Sequence, residues 1–168
     1  MIQQTECSTQ MERLVDEYGT SMLRMCTMYL GDVHLAQDAV QDSFVKIYRA
    51  FKPIEEKTAE KAWVMRITVN VCKDYLRSSW KRRVNLVEEY PELPAEQSPS
   101  REEGRLIQEI RTLKPKYREV ILLHYYQQLK VNEIAEVLGA PQSTVSIRLR
   151  RAREALKKQL EGGPYEDL

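Results

Sequence analysis

Apolar positions along the chain recur at helical spacing, and no segment gives a convincing run of strand-like alternation. From Met11 to Leu30, the residues Leu14, Tyr18, Met22, Met25 and Tyr29 fall near one stripe, and Gly31 and Asp32 follow as a stop. Residues 34–51 place Ala36, Ala39, Val40, Phe44, Ile47, Tyr48 and Phe51 on a second amphipathic helix. Pro53 breaks it, residues 52–60 read as a loop, and a third helix covers 60–82. Four further helices are predicted over 101–113, 115–128, 131–138 and 142–160. Pro115 and Pro141 stand where helices begin, and Gly139 stands where one ends. The fold class is therefore all-α.

Between the third and fourth helices the pattern fails. Residues 83–100 contain YPELPAEQSPS and few apolar residues, so they read as a flexible linker. The predicted organisation is a helical domain over 1–83, an acidic linker over 84–100 and a second helical domain over 101–161. A disordered tail over 162–168 completes it.

Charge sharpens this division. The 168 residues carry a net charge of only +1. Yet residues 61–83 hold seven basic residues and one acidic, residues 84–104 hold one and six, and residues 141–161 hold six and two. Two basic blocks separated by an acidic one point to nucleic-acid surfaces that the total conceals. The acidic linker is expected to keep those surfaces from engaging DNA indiscriminately when the protein is free.

Other classes are excluded by the sequence. No apolar run approaches the ~18 residues of a membrane span, and Met1–Gln10 lacks the apolar core of a signal peptide. Cys7, Cys26 and Cys72 form no paired motif, which fits a reduced, cytoplasmic protein. His34 and His124 have no cysteine at ligand spacing, so neither a metal nor another cofactor is expected.

Three constellations carry chemistry. The first is residues 131–160. Ile134, Ala135 and Leu138 form the apolar face of a short helix, Gly139 permits a sharp turn, and Val145, Leu149, Ala152 and Leu156 are the buried side of the next helix. This is the layout of a helix-turn-helix. Its opposite face presents Ser143, Ile147, Arg150, Arg151 and Glu154, flanked by Thr144, Ser146 and Arg148. Arginine binds guanine bidentately, an apolar tip meets a thymine methyl, and hydroxyls reach phosphates.

The second is a stripe on the third helix: Arg66, Asn70, Lys73, Arg77 and Lys81. Its basic residues suit phosphates and its asparagine suits a base edge. The aromatics nearby, Trp63, Tyr75 and Trp80, suit stacking on unpaired bases. Core aromatics beneath a solvated basic face explain the same residues equally well. The third is Asp38, Gln41 and Asp42, a compact acidic patch on the second helix. Its spacing alone favours a solvated face over a partner surface.

Taken in order, DAVQDSFVKIYRAF (38–51), WVMRITVNVCKDYLR (63–77) and the segment 113–156 resemble a bacterial RNA polymerase sigma factor of the extracytoplasmic function (ECF) group, sigma-70 family. The resemblance implies region 2 over 1–83 and region 4 over 101–161. It implies that Asp38, Gln41 and Asp42 dock on the clamp helices of the polymerase β′ subunit. It implies that Arg66, Asn70, Lys73 and Arg77 address the −10 element, and that the 52–62 loop captures a base flipped from the non-template strand. In region 4, Ser146, Ile147, Arg150 and Arg151 match positions facing bases of the −35 element, with Thr144 and Arg148 on phosphates. Many members carry a basic residue in place of Ser146, so the bases read here need not be theirs.

The partners implied are core RNA polymerase (β′ and β subunits), promoter DNA, both duplex and single-stranded, and a helical anti-sigma protein that is often membrane-anchored. The function implied is promoter recognition without catalysis by this chain. A stand-alone helix-turn-helix regulator with a helical sensor or dimerisation domain is the alternative. It needs no acidic patch on the second helix. A helical enzyme would need a convergent polar cluster, which the sequence does not offer.

Overall fold

A computed structural model describes residues 2–80 and 101–161, which belong to two compact units spanning 1–87 and 88–168. The predicted linker 84–100 and tail 162–168 lie outside the described residues, as does Lys81. The described residues are helical, with no strand among them.

Unit 1 is built from α1 (Ile2–Leu30), α2 (Val33–Arg49) and α3 (Lys57–Trp80). Leu14, Tyr18, Met22, Met25 and Tyr29 are all buried, as their periodicity predicts. They meet Ala36, Ala39 and Ile47 of α2 and Val64, Met65, Val69 and Cys72 of α3. Each fully buried large apolar side chain contributes about 1.5–3 kcal/mol. The exposed Lys46–Asp74 pair, 3.9 Å apart, adds at most about 1 kcal/mol, so apolar burial holds the unit together. The Asp32 carboxylate caps α2, accepting from the backbone N–H of His34 at 2.8 Å and of Leu35 at 3.1 Å.

Several sequence expectations are corrected. The first helix begins at Ile2 rather than near Met11. Its extra turns are mostly exposed and lack an apolar stripe, so periodicity does not reveal them. Tyr48 is 56% exposed, although the pattern placed it in the core, and Ser43 is buried instead. At about 100° per residue, Ser43 falls almost beneath Ala36 while Tyr48 is swung roughly 120° away. The buried Ser43 hydroxyl is satisfied by donating to the Ala39 carbonyl at 2.6 Å. The loop between α2 and α3 is also shorter than predicted, because the Glu56 carboxylate accepts from Thr58 and Ala59 N–H and starts α3 early.

A half-buried ion pair anchors the start of α3 to α1. Arg13 donates two hydrogen bonds to Glu60, at 3.0 and 2.7 Å, and the Tyr18 hydroxyl donates a third at 3.0 Å. Glu17 holds Arg13 and Lys57 from the solvent side.

Unit 2 comprises α4 (Arg101–Thr112), α5 (Pro115–Ile121), α6 (Val131–Leu138) and α7 (Gln142–Glu161). The helix predicted over 115–128 is not uniform: after Ile121 it widens into a π-helical turn, Leu122–Tyr126. Gln127 N–H reaches back to the Leu122 carbonyl, and Gln128 then adopts φ +57°. The widened turn leaves Tyr125 and Tyr126 exposed while Leu122, Leu123 and Leu129 remain buried. Among the described residues no helix is long and apolar enough to cross a membrane.

Candidate nucleic-acid interface and docking surface

The helix-turn-helix is formed by α6 and α7. Gly139 closes α6 in the left-handed conformation at φ +62°, which glycine adopts without steric cost. Ile134, Ala135 and Val137 of α6 are buried, and Leu138, expected in that core, is only half-buried. Val145, Leu149, Ala152 and Leu156 form the buried side of α7, as predicted. Fixing that side fixes the other: Ser143, Ser146, Ile147, Arg150, Arg151 and Glu154 face solvent. Ile147 is 41% exposed, an apolar side chain held open among arginines.

The arginines of α7 differ in their surroundings. Arg148 is half-buried and lies 3.9 Å from Glu119, a carboxylate on α5 that is almost wholly buried. Burial pushes the pKa of the Tyr117 phenol up, but the nearby cations Arg151 and Lys116 outweigh it and hold the pKa below its usual value. Arg153 donates to the Tyr125 hydroxyl at 2.6 Å and lies over its ring. Among the described residues nothing is paired with Arg150.

On α3, Arg66, Asn70 and Arg77 are exposed and Lys73 is half-exposed, one stripe opposite the buried Val64, Val71 and Cys72. Of the aromatics expected to stack on bases, Trp63 is half-buried, and the side chain of Trp80 lies outside the described residues. Tyr75 is committed elsewhere: its hydroxyl donates to the Asp42 carboxylate. Burial first, and then this hydrogen bond, push the Tyr75 pKa well up.

On α2, Asp38, Gln41 and Asp42 are all exposed. The same face continues through Val45 (45% exposed) and Tyr48 (56%), which sequence reasoning missed. The signal was present in the angular position of Tyr48, but its aromatic character drew it into the core pattern. The patch is thus a mixed acidic and apolar strip about one and a half turns longer than expected. A second exposed apolar feature lies in unit 2. A groove of about 520 Å³ is lined by Leu106, Ile110, Tyr125, Tyr126, Leu156 and Leu160, on the flank of α7 away from Ile147.

Comparison with known proteins agrees with this arrangement. Residues 14–82 match the family model for Sigma-70 region 2, and residues 103–156 match that for Sigma-70, region 4. The chain is 34% identical over 163 residues to the ECF RNA polymerase sigma factor SigW of Bacillus subtilis, covering 88% of this chain and 87% of that protein. Among solved structures it resembles CnrH, solved in complex with the cytosolic domain of CnrY, at 25% identity and a TM-score of 0.69 over 93% of this chain and 90% of that one. It also shares the fold of the sigma factor RpoE of Bartonella quintana, solved in complex with the anti-sigma factor NepR, at 20% identity and a TM-score of 0.75 over 89% and 96%. The two all-α units, with a basic stripe in the first and a helix-turn-helix in the second, are those of a promoter-recognising sigma factor, and the chain belongs to the ECF group of the sigma-70 family.

Proposed function

We propose that the two units divide promoter recognition between them. Region 2, over 1–83, docks on core polymerase and handles the −10 element; region 4, over 101–161, reads the −35 element in duplex form. On α3, Arg66, Lys73 and Arg77 hold phosphates while Asn70 meets a base edge. Residues 52–62, which run from the loop after α2 into the first turns of α3, take a flipped base from the non-template strand, and the unstacking costs a few kcal/mol per base. On α7, Ser146, Ile147, Arg150 and Arg151 face bases. Thr144 and Arg148 address phosphates, with Arg148 oriented by Glu119.

The observation that carries this reading is the exposed strip Asp38–Gln41–Asp42–Val45–Tyr48 on α2. A stand-alone DNA-binding regulator has no use for it. An exposed tyrosine and valine in line with two carboxylates give this face the mixed apolar and polar character of a partner surface. It suits the polymerase β′ clamp helices, and the tyrosine-rimmed groove of unit 2 suits the β subunit. The polymerase performs the chemistry and this chain supplies recognition, in the cytoplasm. Sequestration by a helical anti-sigma protein is the regulation that fits the complex in which RpoE was solved with its anti-sigma factor.

Asp38→Lys tests the reading. Asp38 is exposed, whereas Asp42 also anchors Tyr75, so the Asp38 variant reverses a charge without cutting a tertiary hydrogen bond. Its affinity for core polymerase should fall at least tenfold with an unchanged circular dichroism spectrum. Unchanged affinity would sink the docking role.

A further inference from the structure

Cys26 of α1 and Cys72 of α3 bring their sulfurs to 3.3 Å in the middle of unit 1. Both side chains are completely buried. They are far apart in the sequence, so only the crossing of the two helices brings them together. Neither belongs to the surfaces described above, since Cys72 points into the core while Asn70, on the same helix, points to solvent. The separation fits a thiol–thiol hydrogen bond, and a disulfide needs the sulfurs to close to about 2.05 Å. That is an approach of about 1.3 Å between two sulfurs already in contact.

We propose that Cys26 and Cys72 form a redox modification site, a dithiol that hydroperoxides convert reversibly to an intramolecular disulfide pinning α1 to α3. One sulfur, as thiolate, attacks the peroxide; the O–O bond breaks, hydroxide leaves and takes a proton as water, and the sulfur becomes a sulfenic acid. The second sulfur, on losing its proton, attacks the first. The S–O bond breaks, water leaves and the S–S bond forms. Two thiols thus lose two electrons and two protons, and hydrogen peroxide becomes two waters. A reducing dithiol reverses the change by exchange.

Burial sets the conditions. The hydrogen bond it shares with Cys72, together with burial, keeps Cys26 as the neutral thiol and holds its pKa well above the ordinary value. The pair is therefore quiet toward bulky reagents and reacts with small oxidants through local opening of the helix pair. Cys7, half-buried near the start of α1, is the internal comparison. The crosslink would sit one residue from Lys73 and two from Asn70. If α3 has the −10 role proposed above, oxidation clamps that helix; the disulfide itself does not depend on that role.

The test uses the full chain. The folded protein is treated with hydrogen peroxide, residual thiols are blocked, and intact mass and non-reducing peptide maps are recorded. The expected result is a monomer lighter by two hydrogens, with the Cys26 and Cys72 peptides linked and released by dithiothreitol. Cys7→Ser should leave this linkage in place, and Cys26→Ala should abolish it. Recovery of both core cysteines as thiols while Cys7 alone oxidises would overturn the proposal, as would a linkage that includes Cys7. The wild-type reading decides the matter even if Cys26→Ala does not fold.

Discussion

Arg148 and Arg150 stand two residues apart on α7, and their surroundings differ. Arg148 leans on the buried Glu119, so its guanidinium is positioned from within the unit. Arg150 is exposed and, among the described residues, is held by no hydrogen bond or ion pair, which leaves its donors free for the base contact proposed for it. Arg150→Ala should cost about 1–3 kcal/mol of binding on matched −35 sequences. Competition titrations against random duplex check this, and an equal loss on both would demote Arg150 to a phosphate contact. The identity of these residues was legible in the sequence, because alternation of buried and exposed positions on one helix is a local property. The Arg148–Glu119 pair was not, because it joins positions on different helices.

At the scale of elements, the junction of α1 and α3 is the most demanding piece of chemistry in unit 1. Glu60 is almost wholly buried, and the Arg13 hydrogen bonds hold its pKa below the usual carboxylate value, with burial opposing and Tyr18 assisting. A carboxylate whose folded pKa is depressed stabilises the fold fully above its unfolded pKa, about 4.3. That contribution is lost as pH falls through the lower folded value. Glu60→Gln should therefore cost about 1–3 kcal/mol at neutral pH, and the gap from wild type should narrow in acid. Urea melts across the acid range measure this; a gap independent of pH would show that the ionised pair contributes nothing. Other element-level features were hidden from periodicity for specific reasons. The first turns of α1 have no buried stripe. The π turn at Leu122–Tyr126 depends on a hydrogen-bond register that side-chain spacing does not encode.

For the molecule as a whole, the near-zero net charge is a sum over surfaces with different partners. The α2 strip is acidic and apolar, while the α3 stripe and the α7 face are basic. Surfaces on separate faces should fail separately. Asn70→Ala should leave polymerase affinity unchanged yet slow promoter opening severalfold, read by fluorescence of a base analogue placed in the −10 element. Normal opening on a well-matched promoter would remove Asn70 from that role. Asp38→Lys should show the reverse ordering, with binding lost first.

The sequence by itself determined the helical class, the buried stripe of α1 and of the helix-turn-helix, the turn at Gly139 and the face that α7 presents. All of these follow from 3.6-residue periodicity and from the conformational preferences of single residues. Only the tertiary structure decided which distant positions meet: Asp42 with Tyr75, Arg13 with Glu60, Arg148 with Glu119 and Cys26 with Cys72. Those pairings depend on how helices cross. Crossing is set by the packing of whole faces, so no single segment of the chain contains the information.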